Sequence, residues 1–172
     1  MNKNLDGTCR FNSNLMKESN QIFQAVIPTL ESYFGGKIYT TECSDNQICK
    51  ILDYGCGIDA IIVSNEVFGI AHRINRSDIN NFTIRTKINN SNSLTEFDHI
   101  SRSGIKPRYH VQTIVKNGNP VAITVCQTSN LVYAINHGLA TIRTARSSGD
   151  QFASIMYDDL SRHGIPIDIL SI

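Results

Sequence analysis

The chain has 172 residues, 41% of them hydrophobic and 18% charged, which suits one self-sufficient core and excludes global disorder. Its formal net charge of +1 excludes a strong overall field that would draw in nucleic acid or a membrane surface, while leaving room for a local basic groove. No apolar run approaches the roughly 20 residues needed to cross a bilayer. Residues 1–14 are polar, without the apolar centre of a secretory signal. The expectation is therefore one domain over 1–172, cytoplasmic, with no membrane partner and a flexible segment at 1–14.

The cysteines, Cys9, Cys43, Cys49, Cys56 and Cys126, are odd in number and form no CxxC pair. Disulfides are not expected in the cytosol, and zinc-site spacing is absent. Cys49 and Cys56 are expected to pack as small apolar groups.

In chain order, Ile22, Phe23, Val26, Ile27, Leu30, Tyr33 and Phe34 recur at helical spacing, closed by Gly35-Gly36. Pro28 within this run should bend or divide the helix. Residues 37–53 read as a loop with one strand. The β-branched run 58–63 and the stretch 67–75 read as strands joined by a tight turn at Ser64-Asn65-Glu66. Residues 82–87 alternate and read as a third strand of the same meander, and 94–103 as a short helix stopped by Gly104. Strands at 109–115 and 121–127 flank Asn117-Gly118, a strong hairpin signal. Thr128 or Ser129 should cap a short helix ending at His137-Gly138. A last helix over 150–163 would bury Phe152, Ile155, Met156 and Leu160, place Asp158-Asp159 in its last turn facing solvent, and end at Gly164 and Pro166. This order predicts an α+β domain with helices packed on a mixed central sheet.

The most chemical stretch is 53–75. With Asn65 at the centre of the hairpin, Asp59 falls opposite Ala71. Alternation then puts Asp59, Ala71, Arg73 and Asn75 on one face, and Phe68, Ile70, His72 and Ile74 on the other. Asp59 interrupts an apolar strand, where a carboxylate needs a partner or a metal; an ordinary cross-strand ion pair with Arg73 is the structural alternative. His72 reads as a satisfied core histidine rather than a ligand.

Asp59 on one strand, a turn, and Gly69-Ile70-Ala71-His72-Arg73 on the next resemble the PD-(D/E)XK restriction-endonuclease-like superfamily. The resemblance covers residues 21–115. It implies a restriction-endonuclease-like core, a nucleic-acid partner such as DNA, and Mg²⁺-dependent phosphodiester hydrolysis. Asp59 matches the first acid, and Arg73 stands at the position of the lysine. Glu31, on the helix before the sheet, is the candidate for a further acid and, with Asp59, for the metal. Ala71 departs from the pattern, because alanine supplies no oxygen ligand where the second acid belongs. A catalytically degenerate scaffold that binds nucleic acid or blocks another protein is accordingly the alternative.

Candidate phosphate contacts are Arg76, Arg85 and Lys87, in addition to Arg73. A second group, Lys106 and Arg108 with Tyr109, His110 and Gln112, combines basic, aromatic and amide groups near a strand start. A rival resemblance lies in Ile51-Leu52-Asp53-Tyr54-Gly55-Cys56-Gly57, which is similar to the glycine-rich first loop of S-adenosylmethionine-dependent methyltransferases. It implies a strand before the glycines and a helix after them, whereas residues 60–63 prefer strand.

Overall fold

The computed structural model describes residues 13–41, 46–77, 79–91, 93–102, 104–146 and 148–172. The expectation for 1–14 lies outside these residues, except that Ser13 and Asn14 begin the first helix. Cys9 and Cys43 also lie outside them. No helix among the described residues is long and apolar enough to cross a membrane.

Helix α1 runs over Ser13–Phe34. Ile22, Phe23, Val26 and Leu30 form its buried stripe, one turn apart as an amphipathic helix requires. Pro28 lies inside the helix and does not divide it; the proline sits on the exposed side, away from the stripe that packs. Strand β1 is Lys37–Thr40. Within and just past the stretch 37–53, expected as a loop with one strand, lie the short helix α2, Gln47–Lys50, and a π-helical turn, Ile51–Gly55. The side chain of Asn46 starts this segment by accepting a hydrogen bond from the Ile48 amide at 2.8 Å.

Strands β2, Ala60–Val63, and β3, Val67–Asn75, form the expected hairpin. Its register pairs Val63 with Val67 and Ala60 with Ile70, which centres the turn on Asn65. Strand β4, Asn81–Lys87, follows, then helix α3, Glu96–Ser101. Strands β5, Tyr109–Lys116, and β6, Asn119–Gln127, make the second hairpin, with Asn117 and Gly118 both at positive φ as its tight turn demands. Helix α4 is Thr128–Asn136, with Gln127 rather than Thr128 or Ser129 in the capping position. Strands β7, Thr141–Thr144, and β8, Gln151–Met156, helix α5, Tyr157–Arg162, and strand β9, Asp168–Ser171, complete the chain.

The domain is α+β. Its larger sheet has the order β1-β2-β3-β5-β6-β9. Among the described residues only its β3–β5 pairing is parallel; the other pairings are antiparallel. The smaller sheet, β4-β8-β7, is antiparallel throughout. Helix α1 covers one face of the large sheet, where Phe23, Val26 and Leu30 join Ala60, Ile62, Ile70, Val111, Ile123 and Val125 in one core. A second core draws Phe82 and Ile84 of β4, Ala153 and Ile155 of β8, Ile100 of α3 and Leu131 of α4 together with Cys126 of β6.

Two expectations are corrected here. The three-strand meander exists, but its members are β1, β2 and β3, because β4 leaves to pair with β8. Residues 150–163 are not one helix. Their apolar spacing fits a helix, yet Ala153, Ser154 and Ile155 are buried consecutively. That is the pattern of an inner strand covered on both faces, and β8 is the middle strand of its sheet. Asp158 and Asp159 consequently stand in the first turn of α5, not the last of a longer helix.

Candidate functional site

The hairpin register, continued by one residue beyond β2, sets Asp59 opposite Ala71. The Asp59 amide donates to the Ile70 carbonyl at 2.9 Å, and Asp59 Oδ2 accepts from the His72 amide at 2.6 Å. Alternation separates the two faces as the spacing requires. His72 points to α1, where its ring stacks on Phe23 and its Nε2 stands 2.8 Å from Thr113 Oγ1. Asp59, Ala71 and Arg73 line a cleft of about 310 Å³ on the other side, together with Asp53, Arg85, Glu96 and His99. Asn75 lies beyond the cleft and organises the turn after β3, accepting from the Ser77 amide at 2.8 Å and donating to the Ile79 carbonyl at 3.0 Å.

Glu96 is held from several sides of the cleft. Thr95 and Asp98 form a reciprocal capping box, so Glu96 opens α3, where a negative charge meets the positive end of the helix. Arg73 grips it with two nitrogens, Nε to Oε1 at 3.1 Å and Nη2 to Oε2. The Arg85 amide donates to Oε2 at 3.1 Å, and Nε2 of the fully buried His110 stands 2.9 Å from Oε1. Burial alone would raise the pKa of Glu96, but Arg73 and His110 outweigh it and hold the carboxyl below its usual range. Burial likewise opposes the charge on Arg73, which Glu96 and then Asp59 more than restore. Asp53 has only the burial effect, and its pKa is raised.

Burial, and then the charges of His110 and Arg73, push His72 down to about 3 from 6.5. A histidine depressed in the fold binds fewer protons than the unfolded chain between those two values. Its contribution to stability is therefore complete above pH 6.5 and lost as pH falls from there towards 3. NMR titration of the ring should show His72 neutral at pH 5; a midpoint near 6.5 would refute this.

The remaining sequence-derived residues do not converge on the cleft. Glu31 is held at the start of β1 by the Ile38 amide at 3.1 Å and by Lys37 Nζ at 3.0 Å. Thr41, whose amide donates to the Asp59 carbonyl, lies three residues further along, roughly 10 Å at strand rise. Glu31 and Asp59 thus do not form a joint metal site. Arg76 pairs with Glu18 at 3.3 Å. Arg108 pairs with Glu66 and lies over the rings of Phe68 and Tyr109. Lys106 Nζ donates to the Arg102 carbonyl at 3.0 Å, and Lys87 is exposed past an irregularity in β4. Of these basic residues Arg85 alone lines the cleft, its Nε 3.7 Å from Asp150 Oδ2. His110 and Gln112 cannot touch a macromolecular partner, since both are fully buried on an inner strand. The methyltransferase-like stretch runs helix then strand, the reverse of the order that resemblance implies.

Glu96 and His99 are not singled out by the sequence, and Asp53 enters it only within the methyltransferase-like loop. The signal for Glu96 was present in Thr95-x-x-Asp98, which marks the start of a helix and puts Glu96 in its first turn. Glu96 and His99 then share a face at i, i+3 spacing.

No protein-family model matches the chain, and neither does any curated protein.

No three His, Cys, Asp or Glu side chains among the described residues stand together as a metal cage. The cleft is nevertheless rich in oxygen donors, with Asp53, Asp59 and Glu96 along its walls. Mg²⁺ commonly takes one or two carboxylates and fills its remaining positions with water and phosphate oxygens. Asp59 and Glu96 bring two carboxylates to the cleft, Glu96 with both of its oxygens on Arg73.

Proposed function

We propose that this domain is a nuclease-like module acting on nucleic acid by metal-dependent phosphodiester hydrolysis, with Glu96 supplying the acid that Ala71 lacks. The observation that carries the reading is the convergence of Asp59 from the β2–β3 hairpin, Glu96 from α3 and Arg73 from β3 on one cleft. The antiparallel run β1-β2-β3 followed by a crossover to a parallel β5 supports the same scaffold.

Asp59 and Glu96 are the residues that would hold Mg²⁺, which when bound polarises a phosphoryl oxygen. Arg73 and Arg85 set guanidinium charge at the cleft wall, where negative charge on a phosphate grows during displacement. Glu96 fixes the Arg73 fork and keeps it from swinging into solvent.

The test is cleavage of end-labelled oligonucleotides by the purified chain in Mg²⁺ or Mn²⁺. Cleavage that stops in EDTA is expected; cleavage that survives chelation would rule the mechanism out. Both carboxylate oxygens of Glu96 are engaged by Arg73, which favours a second reading, a degenerate scaffold that binds without cutting. Binding without cleavage in either metal would select it.

A further inference from the structure

We infer that the cleft takes an unpaired nucleotide, whose base stacks on Tyr54. This rests on the nuclease-like reading and adds the class of substrate. The cleft is lined by charged side chains, Asp53, Asp59, Arg73, Arg85 and Glu96, and by apolar ones, Tyr54, Ile88 and Leu94. A phosphate suits the two guanidiniums and a flat ring suits the apolar group, which together make the composition of one nucleotide.

Tyr54 is 79% exposed. Among the described residues no group hydrogen-bonds its hydroxyl or stacks on its ring, as with Tyr39, which is outside the cleft, and in contrast to Tyr33, Tyr109, Tyr133 and Tyr157. At the cleft this ring is free to stack on a flat ligand, a contact that would recover the burial it forgoes in water. The backbone that presents it is itself unusual. Ile51–Gly55 is a π-helical turn, closed by the Gly57 amide on the Asp53 carbonyl at 3.0 Å and the Ile58 amide on the Leu52 carbonyl at 2.9 Å. Such turns are rare and concentrate at functional sites. Here the turn brings two consecutive side chains, Asp53 and Tyr54, to the same cleft.

The unpaired state follows from stacking. In a duplex both faces of each base are covered by its neighbours, so a protein ring reaches a base face only where the base is extruded or single-stranded. The size agrees. A cleft of about 310 Å³ lies at the lower end of small-ligand pockets, about 300–1,000 Å³, which admits one nucleotide and not a duplex.

The experiment measures binding by fluorescence anisotropy of a short labelled oligonucleotide, single-stranded or annealed to its complement, in EDTA and in Ca²⁺, so that turnover plays no part. Wild type is expected to favour the single strand by roughly tenfold or more, and Tyr54→Ala to weaken single-strand binding roughly ten- to hundredfold with duplex binding unchanged. Tyr54→Trp and Tyr54→Phe should bind like wild type, because the ring and not the hydroxyl makes the contact. A preference for duplex, or a Tyr54→Ala variant that binds single strands as wild type does, would overturn the inference and leave the nuclease-like reading standing. Absence of binding to either form by wild type would overturn both.

Discussion

Glu96→Ala should lower the stability of the domain by roughly 3 kcal/mol, the low end of the cost of breaking a buried ion pair. The low end applies because the Arg73 side chain keeps 37% of its exposure, and water can rehydrate part of the guanidinium once its partner is gone. The Arg85 amide has no such relief: it loses the acceptor it donates to, and an orphaned buried donor costs on the order of 1–3 kcal/mol. Glu96→Gln retains an oxygen for the Arg85 amide and should cost less. Its value lies in the pH dependence. The Glu96 carboxyl titrates lower in the fold than its usual 4.5. Its contribution is therefore complete above pH 4.5 and lost as pH falls below it. Glu31 and Asp98 are lowered too, so the difference between wild type and Glu96→Gln, rather than the wild-type curve alone, isolates Glu96. That difference should shrink as pH falls from 5 to 3. Replacing both partners by apolar side chains, Arg73→Met with Glu96→Leu, should recover much of the loss. Urea unfolding of the three variants checks this. A Glu96→Ala variant within about 0.5 kcal/mol of wild type, the range of ordinary surface changes, would show that the clamp does not hold the fold together.

The parts of this architecture that sequence reveals are those fixed by short-range geometry. The β2–β3 register follows from a strict two-residue alternation on both sides of a three-residue turn, and one residue of slip would have turned Ile62 and Ile70 out of the core. Asp59 stands out because a carboxylate interrupts an apolar run. Asn117-Gly118 fixes the second hairpin for the same local reason. What sequence hides is the choice among distant partners. Alternation marks β4 as a strand but does not say that β8, some seventy residues later, will pair with it rather than β3. The basic residues show the limit most clearly. Arg76, Arg85 and Arg108 look alike in sequence, yet the first is taken by Glu18 and the last by Glu66, and only Arg85 reaches the cleft. Glu31 looks like a free helical acid until the β1 amide that it caps is in place. Glu96 joins Arg73 across 23 residues of chain and one intervening strand, β4; its helix start was legible and its partner was not.

Moving the second acid within the cleft separates a functional carboxylate from a structural one. If Glu96 does the work that Ala71 cannot, Glu96→Ala should lower metal-dependent cleavage by on the order of a hundredfold or more. The double variant Ala71→Glu with Glu96→Ala should recover at least roughly tenfold of that. The geometry allows the exchange. Ala71 lines the same cleft as Glu96 and sits opposite Asp59 in the hairpin register. It also precedes Arg73 by two residues on the same strand face, so a glutamate there restores a carboxylate to the guanidinium from roughly 7 Å away. Ala71→Glu alone has a different outcome. Ala71 is only 5% exposed, and a third carboxylate beside Asp59 and Glu96 raises the repulsion among them. That variant should melt below wild type in EDTA and regain stability when Mn²⁺ is added, because a ligand bound by the folded state alone stabilises it. A structural role predicts otherwise: the new glutamate would compete with Glu96 for Arg73, and Mn²⁺ would leave the melting temperature where it was. Thermal unfolding with and without Mn²⁺ reads the metal directly, independent of any substrate. A double variant no more active than Glu96→Ala, together with no metal-dependent rise in melting temperature for Ala71→Glu, would make the Arg73–Glu96 pair a piece of the core and leave the domain as a binder.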